Sequence, residues 1–375
     1  MMPASPRWNR IAFVIAAACA AGLLAFSVRR AVSFPFTHDE SLSFTMLDWP
    51  ARMRDKASNH HLLNTLAMRA GRALFGVEPW SLRLGSLAAH AVYLGAALAF
   101  VRRLRSPVVG LCAFGLLALN PFVLDFFFLA RGYGPASAFL LLGLLCLVCA
   151  QHDARRIGGR PAALVFLAAT CAALSALANL AFLHASVPLL AGCAWVLLNG
   201  ASLRPIERRR IPPLLALVAG AGLFAAAILP RILEMQRIGQ LYFGGRSGLV
   251  ADTLGSLVAS SMYDRRLADP ARELLAWSLL AVPALLGLAV LGVRASGQEG
   301  APRSGLLLAL LSGALAMPVL QHALFGTNYP IERAALYLVP LWSLAVASAL
   351  DVLAAPAARP GSRRAALAFA GTLLA

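Results

Sequence analysis

PAALVFLAATCAALSALANLAFLHASVPLLAGCAWVLLNGASL, residues 161–203, runs for 43 residues without a lysine, arginine, aspartate or glutamate. A helix crossing a bilayer needs about 20 apolar residues, so this stretch holds two, joined near His184. Outward from it, uncharged runs of similar length occupy 11–28, 84–101, 106–124, 132–150, 211–230, 274–293, 304–321 and 334–350, and another opens at 365 and runs to Ala375. The pattern predicts an all-α polytopic membrane protein of about 10–11 transmembrane helices. With 60% apolar and 13% charged residues and a mean hydropathy of +0.74, a soluble domain is excluded, because soluble chains carry roughly a quarter charged residues.

Arg7 and Arg10 precede the first run as they would in a signal peptide. The run is long for such a segment, however, and Ser27-Val28-Arg29-Arg30 is a poor cleavage site, so it reads as an uncleaved span. The net charge of +17 would suggest nucleic acid in a soluble protein; in a membrane protein it follows from the excess of basic residues in cytoplasmic loops. With a cytoplasmic N-terminus, alternate short connections carry Arg7/Arg10, Arg102/Arg103/Arg105, Arg155/Arg156/Arg160, Arg204/Arg208/Arg209/Arg210, Arg294/Arg303 and Arg359/Arg363/Arg364, against four acids, Asp153, Glu207, Glu299 and Asp351. This bias puts two long loops, 29–83 and 231–273, on the exoplasmic side. The six cysteines all fall inside apolar runs and read as small buried hydrophobes, the Cys146/Cys149 pair included. The whole chain, 1–375, reads as one integral membrane domain.

The first exoplasmic loop carries the densest chemistry. Phe36-Thr37-His38-Asp39-Glu40-Ser41 follows the first span, and Ser58-Asn59-His60-His61-Leu62-Leu63-Asn64 lies further along. A carboxylate at the edge of a low-dielectric site can take a proton from an incoming hydroxyl or help hold a divalent cation. Its bland counterpart is an acidic pair at a helix N-terminus, and the nearby His38, His60 and His61 tip the balance toward function. If a metal is used, Asp39 and His60 are its candidate ligands, although adjacent histidines on a regular helix cannot both face one ion. The pattern from Asn64 to Phe75 predicts a juxtamembrane helix, with Ser81 capping the next span. His90, mid-span, reads as an interhelical hydrogen-bonder. Arg131 with Tyr133 can clamp a phosphate or snorkel at the interface. Arg333, beside Glu332, presents the same choice with an internal ion pair as a third option. Arg83 and Arg246 read as loop residues facing solvent or headgroups.

These residues resemble the lipid-linked-sugar-dependent glycosyltransferases of the type C fold, a group that includes protein O-mannosyltransferases, lipid A aminoarabinose transferases and bacterial family-39-like proteins. The resemblance is carried by Asp39-Glu40 after the first span, by Asn59 to Asn64, by Trp80-Ser81-Leu82-Arg83-Leu84, by Asn120-Pro121 followed by Ala130-Arg131-Gly132-Tyr133, and by Arg333 followed by Pro340. It covers residues 30–150 well and the remainder by topology. It implies transfer of a sugar, with inversion, from a polyprenyl-phosphate carrier to a glycan, lipid or protein acceptor at the exoplasmic (periplasmic) face; the high alanine and arginine usage suits a bacterial inner membrane. On this pattern Asp39 is the acceptor-activating base or a metal-organising carboxylate and Glu40 its assistant. Arg131 and Arg333 bind the carrier phosphate, with His38, His60, His61, Asn64 and Tyr133 lining the substrate site. Many relatives continue into further spans or a soluble domain where this sequence stops. Two other readings stand beside it: a flippase for a lipid-linked intermediate, which would use the same arginines, and a non-catalytic membrane scaffold. No nucleic-acid partner is expected.

Overall fold

The computed structural model describes residues 6–54, 56–57, 60–154, 161–199, 211–263, 268–294, 301–355 and 360–374. Ser58 and Asn59 of the first-loop cluster, the loop arginines 155, 156, 160, 204, 208–210 and 359, the acids Glu207 and Glu299, and residues 264–266 lie outside them. The described chain is all-helical apart from turns, as the sequence predicts.

α1 (Pro6–Ser33) is the first long apolar helix. The first loop then folds into helices of its own: α2 (His38–Thr45), α3 (Ala51–Arg54), α4 (Leu62–Phe75) and α5 (Pro79–Leu82). α4 stops at Gly76, whose φ of +82° suits a residue without a Cβ. α6 (Leu84–Val101) and α7 (Pro107–Ala118) form a hairpin; Pro107 sits in the first turn of α7 and the Ser106 hydroxyl accepts from the Val109 N–H. Asn120-Pro121 restarts the chain as α8 (Pro121–Asp125), with Asn120 Oδ1 accepting from the Val123 N–H at 3.1 Å. α9 (Tyr133–Asp153), α10 (Pro161–Ala178) and α11 (Leu183–Asn199) follow, then α12 (Ile211–Arg237), α13 (Gly255–Met262), α14 (Asp269–Arg294), α15 (Ala301–Phe325), α16 (Leu338–Leu353) and α17 (Pro360–Leu374).

Among the described residues eight helices are long and apolar enough to cross a membrane: α1, α6, α9, α10, α11, α12, α14 and α15. The 43-residue uncharged stretch does divide into two, α10 and α11, broken at Asn179 rather than at His184. Two expected spans are shorter than the sequence indicates: α7 has 12 residues because Asn120-Pro121 ends it, and α16 has 16 because Glu332–Ala335 forms a separate tight turn.

α9 is the most enclosed of the eight. It packs on α6, α10 and α11, and small residues let these helices approach. A Cβ on Gly143 would meet Cys171 and Leu189, and one on Gly192 would meet Leu147 and Leu310. His90 does not bond across helices as its position suggests; it stacks on Phe127 at 4.5 Å, and its Nδ1 has no hydrogen-bond partner. α1, α12 and α14 are peripheral and expose large apolar side chains such as Val14, Leu223 and Leu288, the surface that acyl chains cover in a bilayer.

The two ends of the bundle differ. At one, the buried Asp351 carboxylate accepts from the Arg105 and Ser106 N–H groups at 2.7 and 3.0 Å and from Arg303 at 2.8 Å, while Arg303 also donates to the Arg103 carbonyl. This knot joins short connections rich in arginine. The other end gathers the first loop, the 119–132 connection, the α10–α11 turn and the 325–336 segment.

Candidate active site

Thr37 opens α2 with a reciprocal cap: its hydroxyl accepts from the Glu40 N–H while Glu40 Oε2 accepts from the Thr37 N–H at 2.9 Å. The Thr-x-x-Glu spacing is a legible capping box, and it fixes what the two neighbouring carboxylates can do. Successive residues on a helix point about 100° apart. Glu40 therefore turns inward while Asp39 faces a cavity.

Glu40 is fully enclosed. Arg83 donates to Oε1 from Nε at 2.7 Å and to Oε2 from Nη2 at 2.8 Å, and the Ala130 N–H donates to Oε1 at 2.7 Å. The rest of the Arg83 guanidinium donates to the carbonyls of Ala31, Phe34 and Pro35. The expectation that Arg83 faces solvent is corrected: it is 0% exposed and joins the end of α1, α2, the start of α6 and the α8–α9 connection. Glu40 is likewise not placed as an assistant to Asp39, since its oxygens are held by this network and it lies outside the cavity lining.

Asp39 Oδ2 accepts from Arg333 Nη1 and lies 3.5 Å from Arg131 Nη2. Arg131, 1% exposed, also donates to the Asp39 carbonyl at 2.9 Å and to the Ser43 hydroxyl, and its guanidinium lies 5.9 Å from the centre of the Tyr133 ring. Arg333 pairs with Asp39, not with its neighbour Glu332. Glu332 holds a left-handed φ of +48°, with its N–H donating to Ser256 Oγ at 2.7 Å. A non-glycine residue in that region stores about 1–3 kcal/mol and persists where the surroundings impose it, and here it aims Arg333 at the cavity, with Phe243 5.5 Å from the guanidinium.

The cavity measures about 890 Å³. Asp39, His61, Tyr133 and Arg333 line one part of it; Leu229, Ile232 and Leu233 of α12 and Phe325 of α15 line another. α12 and α15 both pack on α11, whose first residues form the floor. The pocket is thus charged at the loop end and apolar between helices.

The remaining predicted residues divide. His61 is buried, lines the cavity and meets Tyr133 edge-on at 5.2 Å. Burial, then the guanidiniums of Arg131, the His60 ring and the guanidiniums of Arg333 and Arg231, push its pKa well below the usual imidazole value. His60 turns to α12, where Arg231 donates to its carbonyl at 2.9 Å and lies 3.3 Å from its Nδ1. Asn64 Nδ2 donates to the Ala130 carbonyl at 2.8 Å, a bracing role. His38 is exposed and outside the cavity. Ser81 does not cap a helix; its hydroxyl donates to the Gly76 and Glu78 carbonyls. Arg246 points to Asn328 on an exposed surface.

Asp39 and His60, the expected cation ligands, both face guanidinium groups, and among the described residues no three His, Cys, Asp or Glu side chains come together. This donor set does not fit a divalent ion. Sequence reading missed Asn179, His184, Gln321 and Arg231, since an amide or imidazole inside an apolar run gives no local signal.

Gly132 is tightly enclosed at the edge of this site. A Cβ there would lie 2.0 Å from the Ala178 carbonyl oxygen and 2.8 Å from His61. Gly132→Ala is expected to cost about 1–3 kcal/mol by overpacking and to displace His61; a lowered thermal midpoint in detergent checks it, and an unchanged midpoint contradicts this packing.

No protein-family model, curated protein or solved structure matches the chain, so the site itself must carry the functional argument.

Proposed function

We propose that this protein is an integral membrane glycosyltransferase that moves a sugar from a polyprenyl-phosphate carrier to an acceptor hydroxyl. The observation that carries the reading is the pairing of Asp39 with Arg333 and Arg131 at the charged end of a cavity whose other walls are apolar helix surfaces. An isoprenoid phosphate has the same division. Its chain suits the groove between α12 and α15, and its phosphate suits a guanidinium fork.

The proposed chemistry uses these positions. The acceptor oxygen attacks the anomeric carbon while Asp39 takes its proton; the new C–O bond forms as the bond from the anomeric carbon to the phosphate oxygen breaks. The electron pair leaves on the phosphate, where Arg333, with Arg131 behind it, meets the developing charge. A single displacement inverts the anomeric centre. In the described arrangement Asp39 occupies Arg333, so an arriving phosphate that takes over the guanidinium frees the carboxylate for the acceptor.

The orientation belongs to the same proposal. The arginine-rich connections around Asp351 face the cytoplasm of a bacterial inner membrane, and the site faces the periplasm. A flippase would favour ionisable groups near mid-depth, whereas in the described spans the Asp, Glu, Lys and Arg residues lie toward helix ends.

The test is transfer or donor hydrolysis with synthetic polyprenyl-phosphate sugars. Arg333→Gln is expected to lower kcat/KM by about 10²–10³, the scale for losing one donor to transition-state charge, with Arg333→Lys recovering part of it. Absence of turnover with every donor, by protein that still binds polyprenyl phosphate, would favour the flippase or scaffold readings.

A further inference from the structure

We infer that the cavity wall formed by His61, Asn179, His184 and Gln321 recognises an uncharged sugar, a neutral hexosyl or pentosyl group, on the lipid-linked donor; this rests on the glycosyltransferase reading above. The four residues come from separate elements but form one patch. Gly132 wedges between the Ala178 carbonyl and His61, which brings the backbone just before Asn179 up to the His61 side chain. Asn179 opens the short turn Leu180–Phe182 that leads into His184, and Gln321 Oε1 lies 2.6 Å from His184 Nε2. All four line the cavity.

Their hydrogen bonding leaves capacity over. Asn179 Oδ1 accepts from the Ala181 N–H at 3.0 Å, which fixes the amide and commits its nitrogen to the other side. That nitrogen has no protein partner although the residue is only 4% exposed. His61 Nε2 is buried and unpartnered in the same way. An unmet buried polar group costs about 1–3 kcal/mol; both atoms are sealed as the side chains stand, and a sugar hydroxyl, both donor and acceptor, is the partner that either one meets when its side chain turns to the cavity that both residues line.

His184 fixes a third group. Its Nδ1 lies 2.7 Å from the Ala181 carbonyl, which can only accept, so Nδ1 carries the proton of the neutral ring. Nε2 must then accept, so the Gln321 amide is assigned in the flipped sense, with its nitrogen in place of Oε1 toward the ring. The Gln321 carbonyl oxygen is left as an acceptor. The patch therefore offers both hydrogen-bond senses.

It offers no charge. The charged side chains lining the cavity, Asp39, Lys56 and Arg333, are none of these four: Lys56 pairs with Glu234 at 3.2 Å, and on the transferase reading Arg333 goes to the phosphate and the released Asp39 carboxylate to the acceptor hydroxyl. The depressed pKa of His61 keeps that ring neutral as well. An amino sugar would bring an ammonium, and a uronic acid a carboxylate, to a wall without a counter-charge, and such burial is costly. A neutral sugar meets no such cost.

The experiment uses the full chain in lipid nanodiscs and three ligands: bare polyprenyl phosphate, a neutral hexosyl-phosphate polyprenol and an amino-sugar counterpart. Wild type is expected to bind the neutral donor about tenfold or more tighter than the bare lipid, the scale at which a hydrogen-bonding site discriminates. Asn179→Asp keeps the acceptor that caps the Leu180–Phe182 turn and removes the free donor. In it, the sugar's contribution is expected to shrink to within about twofold, each variant being referred to its own affinity for the bare lipid. Gln321→Met, which leaves that cap untouched, supplies the same comparison if Asn179→Asp does not fold. A sugar that adds nothing in wild type, or an amino-sugar donor bound as tightly as the neutral one, overturns the inference while the transferase reading stands. Failure to bind any polyprenyl phosphate overturns both.

Discussion

Asp39→Asn is expected to lower sugar transfer by about a hundredfold or more, the contribution of a positioned general base. The substitution keeps the size of the side chain and an oxygen for Arg333 and Arg131, and it touches neither the Thr37 cap nor the Glu40–Arg83 network. The folded loop should survive, with a thermal midpoint close to wild type. On the proposed reading donor binding should survive too, because the mutant removes the carboxylate that would compete with a lipid phosphate for Arg333. The signature is a fall in kcat with KM unchanged or lower. Transfer at the wild-type rate would remove Asp39 from the chemistry, and a collapse of the midpoint would recast it as a structural residue.

The second large effect separates the neighbouring carboxylate. Arg83→Met strands the Glu40 carboxylate in an enclosed site, and Glu40→Gln puts an amide N–H against the guanidinium. Removing one partner of a buried pair costs about 3–5 kcal/mol, so each single substitution should lower the thermal midpoint sharply and deplete folded protein from membranes. Glu40→Leu combined with Arg83→Met should cost less than the sum of the singles, because no lone charge remains; the Ala31, Phe34 and Pro35 carbonyls would still lose their donor. A Glu40→Gln protein with an unchanged midpoint and lost turnover would return Glu40 to the role of catalytic assistant.

The contrast between these two residues shows how far the sequence could be read. Runs of apolar residues set by bilayer thickness made the helical membrane class plain, and α10 and α11 follow directly from the uncharged stretch 161–203. The first loop was also legible as the place of chemistry. Its division of labour was not: Asp39 and Glu40 carry the same charge, and only the capping box at Thr37 and the buried partner 43 residues along the chain decide which one faces the cavity. Arg83 looked like any basic loop residue because burial cannot be seen from a single cation in a polar segment. Asn179 and Gln321 were hidden by the apolar residues around them. Length misled at α7 and α16, where a turn inside an uncharged run shortens the helix without changing its composition.

The Asp39–Arg333 contact joins positions 294 apart in the chain. A ribosome feeding this protein into a membrane releases the carboxylate after the first of the eight long helices of the described residues and its cation after the last of them. Until the 325–336 segment arrives, the cavity lacks the wall that carries Arg333 and Ala334. Synthesis therefore acts as a timer: a nascent chain can dock its first loop, but the charged end of the cavity is complete only when the segment carrying Arg333 closes against α2.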